Sequence, residues 1–283
     1  MIKDTKAKLY EICIEKFLTI KHFIMNVPTM ADMMAQGKQP EVLFWVGAAG
    51  SYDDRAKKIS RAFVKILHQA NVDFAVLGTE ESSTGDAAKR AGNEFLFQMQ
   101  AMMNIEVLNG YEVKKIVTCD PHSFNTLKNE YPGLGGKYEV YHHTQFIQTL
   151  IKEGRLKIND TTLKGKRVTF HDPCYLGRGN EVYESPRDLI KRLGVNLTEM
   201  KRNKSTALCC GAGGAQMFKD AEKGDKEINV LRTEDALETK PEIIATGCPY
   251  CNTMMTDGIK FKEKEAEVVV KDIAELIAEA NNL

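Results

Sequence analysis

Cysteines are the residues of this 283-residue chain whose type and spacing could do chemistry. Five of the seven lie in the C-terminal half, in the pattern C-x34-C-C-G-x36-C-x-x-C, at Cys174, Cys209, Cys210, Cys248 and Cys251. Thiolates are soft ligands that select iron–sulfur clusters, zinc or copper(I). Because cytoplasmic thiols are normally reduced, cysteines grouped in this way predict metal binding or catalysis rather than structural disulfides.

The charge balance and hydropathy pattern exclude several classes of partner. Lysine plus arginine number 39, as do aspartate plus glutamate, so a neutral chain has no general attraction to nucleic acid or anionic membranes. No apolar run approaches the ~18 residues of a membrane span, and the N-terminal stretch lacks the apolar core of a signal peptide. We therefore expect a cytoplasmic protein, attached to the inner face of a membrane only through a partner.

Strands and helices alternate along the chain and must position the cysteines. Short apolar runs at 42–46, 74–77 and 116–117 predict strands, and periodic apolar residues at 4–27 and 56–67 predict amphipathic helices. A long helix is predicted from Asp86 to Leu108, with a buried stripe of Phe95, Leu96, Met99 and Met103; Met102 is also expected in the core. This alternation indicates an α/β fold with mostly parallel sheets.

The second half of the chain repeats the first. Ala48 and Ser82 are separated by 33 residues, and Cys174 and Cys209 by 34. Likewise 36 residues separate Ser83 from Asp120, and 37 separate Cys210 from Cys248. We therefore predict two tandem pseudo-repeated α/β units, at 40–160 and 161–283, after an N-terminal helical segment at 1–39.

Each cysteine segment follows a predicted strand, at a loop that leads towards a helix. In a parallel α/β sheet these loops lie together at the carboxyl ends of the strands, so distant cysteines can meet. Helix N-termini there would direct N–H groups at bound thiolates. A structural zinc site, buried thiols or a redox pair of Cys248 and Cys251 remain alternatives, although a fifth thiolate argues against four-coordinate zinc.

The cysteine pattern resembles that of the CCG, or cysteine-rich, domain family over about residues 40–280. Members include the B and D polypeptides of heterodisulfide reductase and the iron–sulfur subunits of lactate utilisation and anaerobic glycerol-3-phosphate dehydrogenase. The resemblance implies that the five cysteines bind a [4Fe-4S] cluster, which is noncubane in the heterodisulfide reductase branch. There the cluster is thought to reduce a disulfide in successive one-electron steps. The resemblance also implies a cofactor-binding role for Gly211, whose lack of a side chain would let the backbone approach the cluster.

The first half departs from the family pattern. Other residues occupy the expected ligand positions: Ala48, Ser82, Ser83, Asp120 and Ser123. Alanine cannot ligate iron, and serine ligates it poorly beside thiolate. We therefore expect one cluster, in the second half. Cys13 and Cys119 are too few for a ferredoxin-like C-x-x-C-x-x-C segment, so electrons must come from a ferredoxin-type iron–sulfur subunit, with a flavin subunit as a further candidate partner.

Several other residues have both a functional and a structural interpretation. His171 could tune the cluster or relay protons, and Arg178 could contact an anionic substrate or the cluster; a hydrogen-bonded structural histidine and a surface arginine are the alternatives. His142 and His143 are expected to cap a helix or pack. Cys13 is expected in the core, and Cys119 is not expected to bind metal.

These observations lead to three hypotheses. The first is an iron–sulfur redox subunit that reduces a disulfide or relays electrons, with the five cysteines as ligands. The second is a non-redox zinc-binding assembly module. The third is a metal-free thiol enzyme that uses Cys248 and Cys251.

Overall fold

Two parallel four-stranded sheets, one in each half of the chain, form the framework of the protein. The computed structural model describes residues 27–159, 162–220 and 223–283. Most of the amphipathic helix predicted at 4–27 lies outside these residues, as does Cys13. Apolar strands that alternate with amphipathic helices produce this arrangement, because a parallel sheet must be covered on both faces.

The first unit contains four strands and seven helices within the described residues. Its elements are α1 (Met30–Ala35), β1 (Val42–Trp45), α2 (Gly47–Tyr52), α3 (Ala56–Gln69), β2 (Phe74–Ala75), α4 (Asp86–Arg90), α5 (Glu94–Gly110), β3 (Lys115–Thr118), α6 (Pro121–Asn125), β4 (Glu139–His142) and α7 (His143–Lys152).

The second unit repeats the strand–helix alternation. Its elements are β5 (Arg167–Phe170), α8 (Glu184–Arg192), β6 (Asn196–Leu197), α9 (Ile228–Leu237), β7 (Ile243–Thr246), α10 (Pro249–Phe261), β8 (Val269–Asp272) and α11 (Ile273–Ala280).

The two sheets have the same topology. Their strand orders are β2-β1-β3-β4 and β6-β5-β7-β8, and every pairing is parallel. Leu43 of β1 pairs with Ile116 of β3, and Val168 of β5 pairs with Ile243 of β7. The predicted α/β class and its tandem repeat are therefore confirmed.

The two units share one hydrophobic core. Helices α3 and α11 pack together, and buried residues of both, such as Phe63 and Ile277, belong to the same apolar cluster. At the edge of this contact Arg55 forms an ion pair with Glu275 at 2.7 Å. The two sheets are thus held against each other by packing as well as by the chain that connects them.

The long helix predicted from 86 to 108 is interrupted. A turn separates α4 from α5, where Gly92 has φ +88° and the Asn93 side chain accepts from the N–H of Leu96 to start the second helix. The predicted buried stripe of α5 is wrong, because Phe95 is 75% exposed, Met99 46% and Met103 59%; Leu96 and Met102 are exposed too.

The face of α5 that packs on the sheet is a different one. Its buried residues follow helical spacing: Phe97, Ala101, Asn104, Ile105 and Leu108. Since apolar side chains occupy both faces of this helix, periodicity could not tell which face is buried. Among the helices that the structure describes, none is long and apolar enough to cross a membrane.

Gly85 and Gly92, at the two ends of α4, form a matched pair for testing backbone and packing constraints. Both have positive φ, +86° and +88°. A Cβ on Gly85 would lie 2.8 Å from a ring carbon of Phe97, whereas a Cβ on Gly92 would meet no described atom within 4 Å. Gly92→Ala should cost about 1–2 kcal/mol of unfolding free energy from left-handed backbone strain.

Gly85→Ala should cost about 1–3 kcal/mol more than Gly92→Ala, because its methyl group overpacks against Phe97. Urea unfolding followed by circular dichroism measures both. Equal losses of stability in the two variants would contradict the tight packing of α4 on α5.

Candidate functional site

The five C-terminal cysteines lie together at the carboxyl edge of the second sheet. Cys174 lies in the loop after β5, and Cys209 and Cys210 lie in the segment between β6 and α9. Cys248 is the N-cap of α10, and Cys251 lies in its first turn. Cys210, Cys248 and Cys251 are buried, the other two are half-buried, and all five are free thiols.

A chain of sulfur contacts links the five residues. The Cys174 and Cys210 thiols donate to Cys209, which lowers the pKa of Cys209 far below the ordinary thiol value. The same contacts, together with burial, raise the pKa of Cys174 and of Cys210. Cys251 contacts Cys210 and Cys248 in turn, and these contacts raise its pKa. Closely packed thiols cannot all ionise unless a cation neutralises them, as a metal does.

Backbone N–H groups also point at this site. The N–H of Gly211 donates to Cys209 Sγ at 3.3 Å, and the N–H of Cys251 donates to Cys248 Sγ at 3.5 Å. Gly211 has φ +95°, a conformation that glycine adopts without strain. The turn after the paired cysteines therefore brings main-chain donors to sulfur.

His171 borders the thiols, and one of its nitrogens lacks a partner. Its ring is fully buried, and one ring nitrogen lies within 4.8 Å of the sulfurs of Cys210 and Cys251. Nδ1 accepts a hydrogen bond from Nε of Arg232 at 3.0 Å, while Nε2 has no partner among the described residues. Burial is the larger cause that lowers the pKa of His171 to about 3, and the Arg232 guanidinium is the next. The ring is therefore neutral.

A buried ion pair anchors the loop that carries Cys174. The Asp172 carboxylate accepts two hydrogen bonds from Arg187, at 2.7 and 2.8 Å, and a third from the N–H of Lys204 at 2.8 Å. Breaking such a buried pair typically costs about 3–5 kcal/mol. Asp172 thus holds the segment before Cys174 against the segment that leads to Cys209.

Arg178 also joins these two segments. Its guanidinium Nη1 donates to the carbonyl of Ala207, two residues before Cys209, and its side chain is exposed. This contact gives Arg178 a role in loop positioning. A contact with an anionic substrate remains a prediction from the sequence.

The ligand positions that lack cysteine in the first half line one solvent-open cleft. Ala48, Ser82, Ser83, Asp120 and Ser123 all border this cleft. Its opposite wall comes from the second half and includes Ala212, Met217, Phe218 and Tyr250. The first unit thus gathers the five corresponding positions as the second does, but presents a carboxylate and hydroxyl groups.

Asp120 caps a helix in the first unit at the position that Cys248 occupies in the second. Its carboxylate accepts from the N–H groups of His122 and Ser123 at 2.9 and 3.1 Å, at the start of α6. Cys248 accepts from the N–H of Cys251 at the start of α10. The same cap position therefore holds an oxygen acceptor in one unit and a sulfur acceptor in the other.

His122 is a residue of the cleft that the sequence did not single out. Its ring packs between Tyr175 and Tyr250 of the second half, with ring centroids 4.4 and 5.2 Å away. Its Nδ1 lies 2.9 Å from the Asp86 carboxylate. The signal that could have found it is the repeat itself, since Asp120-Pro121-His122-Ser123 corresponds to Cys248-Pro249-Tyr250-Cys251.

The histidines expected to cap or pack have those roles. His142 is the N-cap of α7, and its buried Nε2 lies 3.0 Å from the carbonyl of Gly247, next to Cys248. His143 is buried and its Nε2 lies 3.0 Å from the Asp272 carboxylate. Cys119 lies in the shared hydrophobic core rather than among the five cysteines, and burial raises the pKa of its thiol.

The donor set fits an iron–sulfur cluster. Five neighbouring thiols supply soft ligands. Two buried nitrogens, Nε2 of His171 and Nη2 of its neighbour Arg232, have no hydrogen-bond partner in the described part of the chain. Main-chain N–H groups that point at sulfur are typical of the surroundings of bound clusters. The residues that would hold the cluster are the five cysteines, with Gly211 supplying a main-chain donor.

Known proteins with similar sequences share this region. The family model of the cysteine-rich (CCG) domain matches residues 42–128 and 168–256, together more than half of the chain. A probable iron–sulfur-binding oxidoreductase, FadF of Bacillus subtilis, is 50% identical over 90% of this chain and 36% of its own length. The EtfAB:quinone oxidoreductase of Syntrophomonas wolfei is 44% identical over 90% of this chain and 36% of its own length.

A third relative is the D polypeptide of the dihydromethanophenazine:CoB–CoM heterodisulfide reductase of Methanosarcina barkeri. It is 33% identical over 86% of this chain and 59% of its own length. The chain thus spans little more than a third of the length of each of the first two relatives.

The fold and the grouped thiols define a tandem α/β protein with one complete cysteine site in the described residues. The chain belongs to the cysteine-rich CCG domain family, and both of its units match the family model. The degenerate unit is therefore a second copy of the domain, as the repeat predicted.

The contact between His122 and Asp86 predicts how the stability of the fold depends on pH. Burial alone would lower the pKa of His122, but Asp86, Asp120 and Cys248 outweigh it and raise that pKa to about 9. Because this value exceeds the ordinary 6.5, the contact stabilises the fold fully below about pH 6.5, and the stabilisation is lost as pH rises through about 9.

Asp86→Asn should lower the pKa of His122, because it removes the negative charge that the imidazolium contacts. The measurement is a histidine NMR titration of the cluster-free protein, with Asp54→Asn, at an exposed carboxylate, as the control. An unchanged His122 titration in Asp86→Asn would contradict the assigned contact.

Proposed function

We propose that this chain binds one [4Fe-4S] cluster through Cys174, Cys209, Cys210, Cys248 and Cys251 and acts as an iron–sulfur redox subunit. The observation that carries the proposal is the meeting of five free thiols at one strand edge, beside a buried histidine whose Nε2 has no hydrogen-bond partner among the described residues. Five thiols exceed the four ligands of structural zinc. Relatives named as iron–sulfur-binding, or as oxidoreductases, give zinc no support.

Electrons must reach the cluster from outside the described residues. The sequence retains two cysteines beyond the five, too few for a second cluster of the ferredoxin type. Because the chain spans 36% of the length of FadF, a ferredoxin-type iron–sulfur module in the same complex is the proposed donor, with a flavin protein as a further partner. Cys174 and Cys209, the half-buried ligands, mark the side from which electrons would enter.

The cleft between the units is the proposed place for a small reducible molecule. Tyr250, between the ligands Cys248 and Cys251, forms part of its wall, and His122 lies against Tyr250. A disulfide is the substrate class we favour: its conversion to two thiols requires two protons and two electrons, and a bound cluster would supply the electrons that it receives from the donor. His122, held by Asp86, would deliver one of these protons to a substrate sulfur.

Metal analysis tests the proposal directly. Protein purified without oxygen should contain about four irons and four acid-labile sulfides per chain, as expected for one cluster of this type. An electron paramagnetic resonance (EPR) spectrum of the same sample distinguishes cubane from noncubane clusters. About eight irons would contradict a single cluster, and zinc without iron would overturn the redox function.

A pair of cysteine variants tests the ligand assignment. Cys210 and Cys119 are both buried free thiols, but Cys210 lies among the five grouped cysteines and Cys119 in the hydrophobic core. Cys210→Ala should lose most of the visible absorption and iron, because a thiolate ligand is removed. Cys119→Ala, the matched control, should retain both. Full iron content in Cys210→Ala would remove that residue from the ligand set.

A further inference from the structure

We propose that Arg232 fixes the tautomer of His171, so that the His171 Nε2–H donates a hydrogen bond to a cluster sulfur and makes the cluster easier to reduce. This inference rests on the proposed function, since it requires the cluster. It assigns Arg232 a role that sequence reasoning did not give it. His171 would touch the cluster directly, whereas Arg232 is a positioning residue.

The tautomer follows from a single hydrogen bond. Nε of an arginine always carries a hydrogen, and Arg232 Nε lies 3.0 Å from His171 Nδ1. Nδ1 must therefore accept, and it carries no hydrogen. The one hydrogen of the neutral imidazole is consequently on Nε2. Both side chains are fully buried, so water cannot compete for this contact.

Arg232 is itself held in place. Its Nη1 donates to the backbone carbonyl of Arg202 at 2.7 Å and lies 3.3 Å from the Asp235 carboxylate. Asp235 is fixed by two hydrogen bonds of 2.7 Å from the Arg202 guanidinium. Since Arg232 and Asp235 both belong to α9, this helix presents the guanidinium to His171 in one orientation.

Nε2–H is the donor of the His171 ring that remains free. It is buried and has no acceptor among the described residues, although a buried N–H without an acceptor costs about 1–3 kcal/mol. A His171 ring nitrogen lies within 4.8 Å of the sulfurs of Cys210 and Cys251, and Nδ1 is already occupied by Arg232. Cluster or ligand sulfur is therefore the acceptor that the site offers to Nε2–H.

Such a hydrogen bond has a defined effect on the redox reaction. Reduction adds negative charge to the cluster, and a donor at sulfur stabilises this charge, so the reduced state is favoured. Without the Arg232 contact, the ring could place its hydrogen on Nδ1. Nε2 would then direct a lone pair at sulfur and disfavour reduction.

Three variants test this inference by the midpoint potential of the cluster, from an EPR-monitored redox titration. His171→Leu and Arg232→Met should each lower the reduced-to-oxidised ratio at a fixed potential about tenfold, which is about 59 mV for a one-electron couple. His171→Gln should restore much of the wild-type potential, because its amide N–H can occupy the place of Nε2–H. Arg192→Met is the control, since it removes an exposed positive charge of α8 and leaves the contacts of Arg232 in place.

The results separate this inference from the proposed function. Iron and sulfide are measured on every sample, and wild-type protein without a cluster would refute the proposed function. Full cluster content with unchanged potentials in His171→Leu and Arg232→Met would refute only the hydrogen bond. A potential shift in Arg192→Met equal to that in Arg232→Met would also overturn it, because the effect would then be a general one of altered charge.

A measurement on the unmutated protein remains decisive if the variants fail to hold the cluster. Pulsed EPR of protein with ¹⁵N-labelled histidine should show weak coupling to one histidine nitrogen and an exchangeable hydrogen on it. Absence of both signals would overturn the inference. Strong nitrogen coupling, typical of a nitrogen bound to iron, would also overturn it by making His171 a ligand.

Discussion

The parallel pairing of β5 with β7 is the constraint on which the site depends. These strands are neighbours in the middle of the second sheet, and the N–H of His171 bonds to the carbonyl of Ala245 where both strands end. Their continuations carry Cys174 and Cys248, which are far apart in sequence. Because strands that run parallel finish at the same edge, the loops after them share one small volume, and helix α10 starts there with its N–H groups facing sulfur.

The two units show how one framework can present different chemistry. Both have the strand order of a repeated sheet, and in both the five corresponding positions meet at the carboxyl edge. In the first unit a carboxylate and hydroxyls replace thiols, which removes the soft ligands and leaves a polar cleft. The units face each other across this cleft, where His122 of one packs between Tyr175 and Tyr250 of the other. The degenerate unit therefore contributes to the surroundings of the cysteine site although it has lost the ligands.

Two buried arginines organise the second unit around its thiols. Arg187 on α8 neutralises Asp172 and holds the Cys174 loop, and Arg232 on α9 occupies one nitrogen of His171. Both guanidinium groups are buried, where an unpaired charge would be costly, and both donate to neighbouring acceptors, although Nη2 of Arg232 has no partner among the described residues. Their hydrogen bonds hold a loop and a ring in place.

The sequence alone determined the α/β alternation, the tandem repeat and the grouping of five cysteines, because hydrophobic period and ligand spacing are local properties of a chain. It also placed Cys119 apart from the other thiols and His142 at a helix start. Only the tertiary structure decided which face of α5 is buried, since apolar residues such as Phe95 and Phe97 occupy both faces. It alone brought His122 to Tyr250 and Arg232 to His171, because these contacts join segments 128 and 61 residues apart. Such distant contacts depend on how sheets and helices pack, and residue spacing within one segment does not determine that packing.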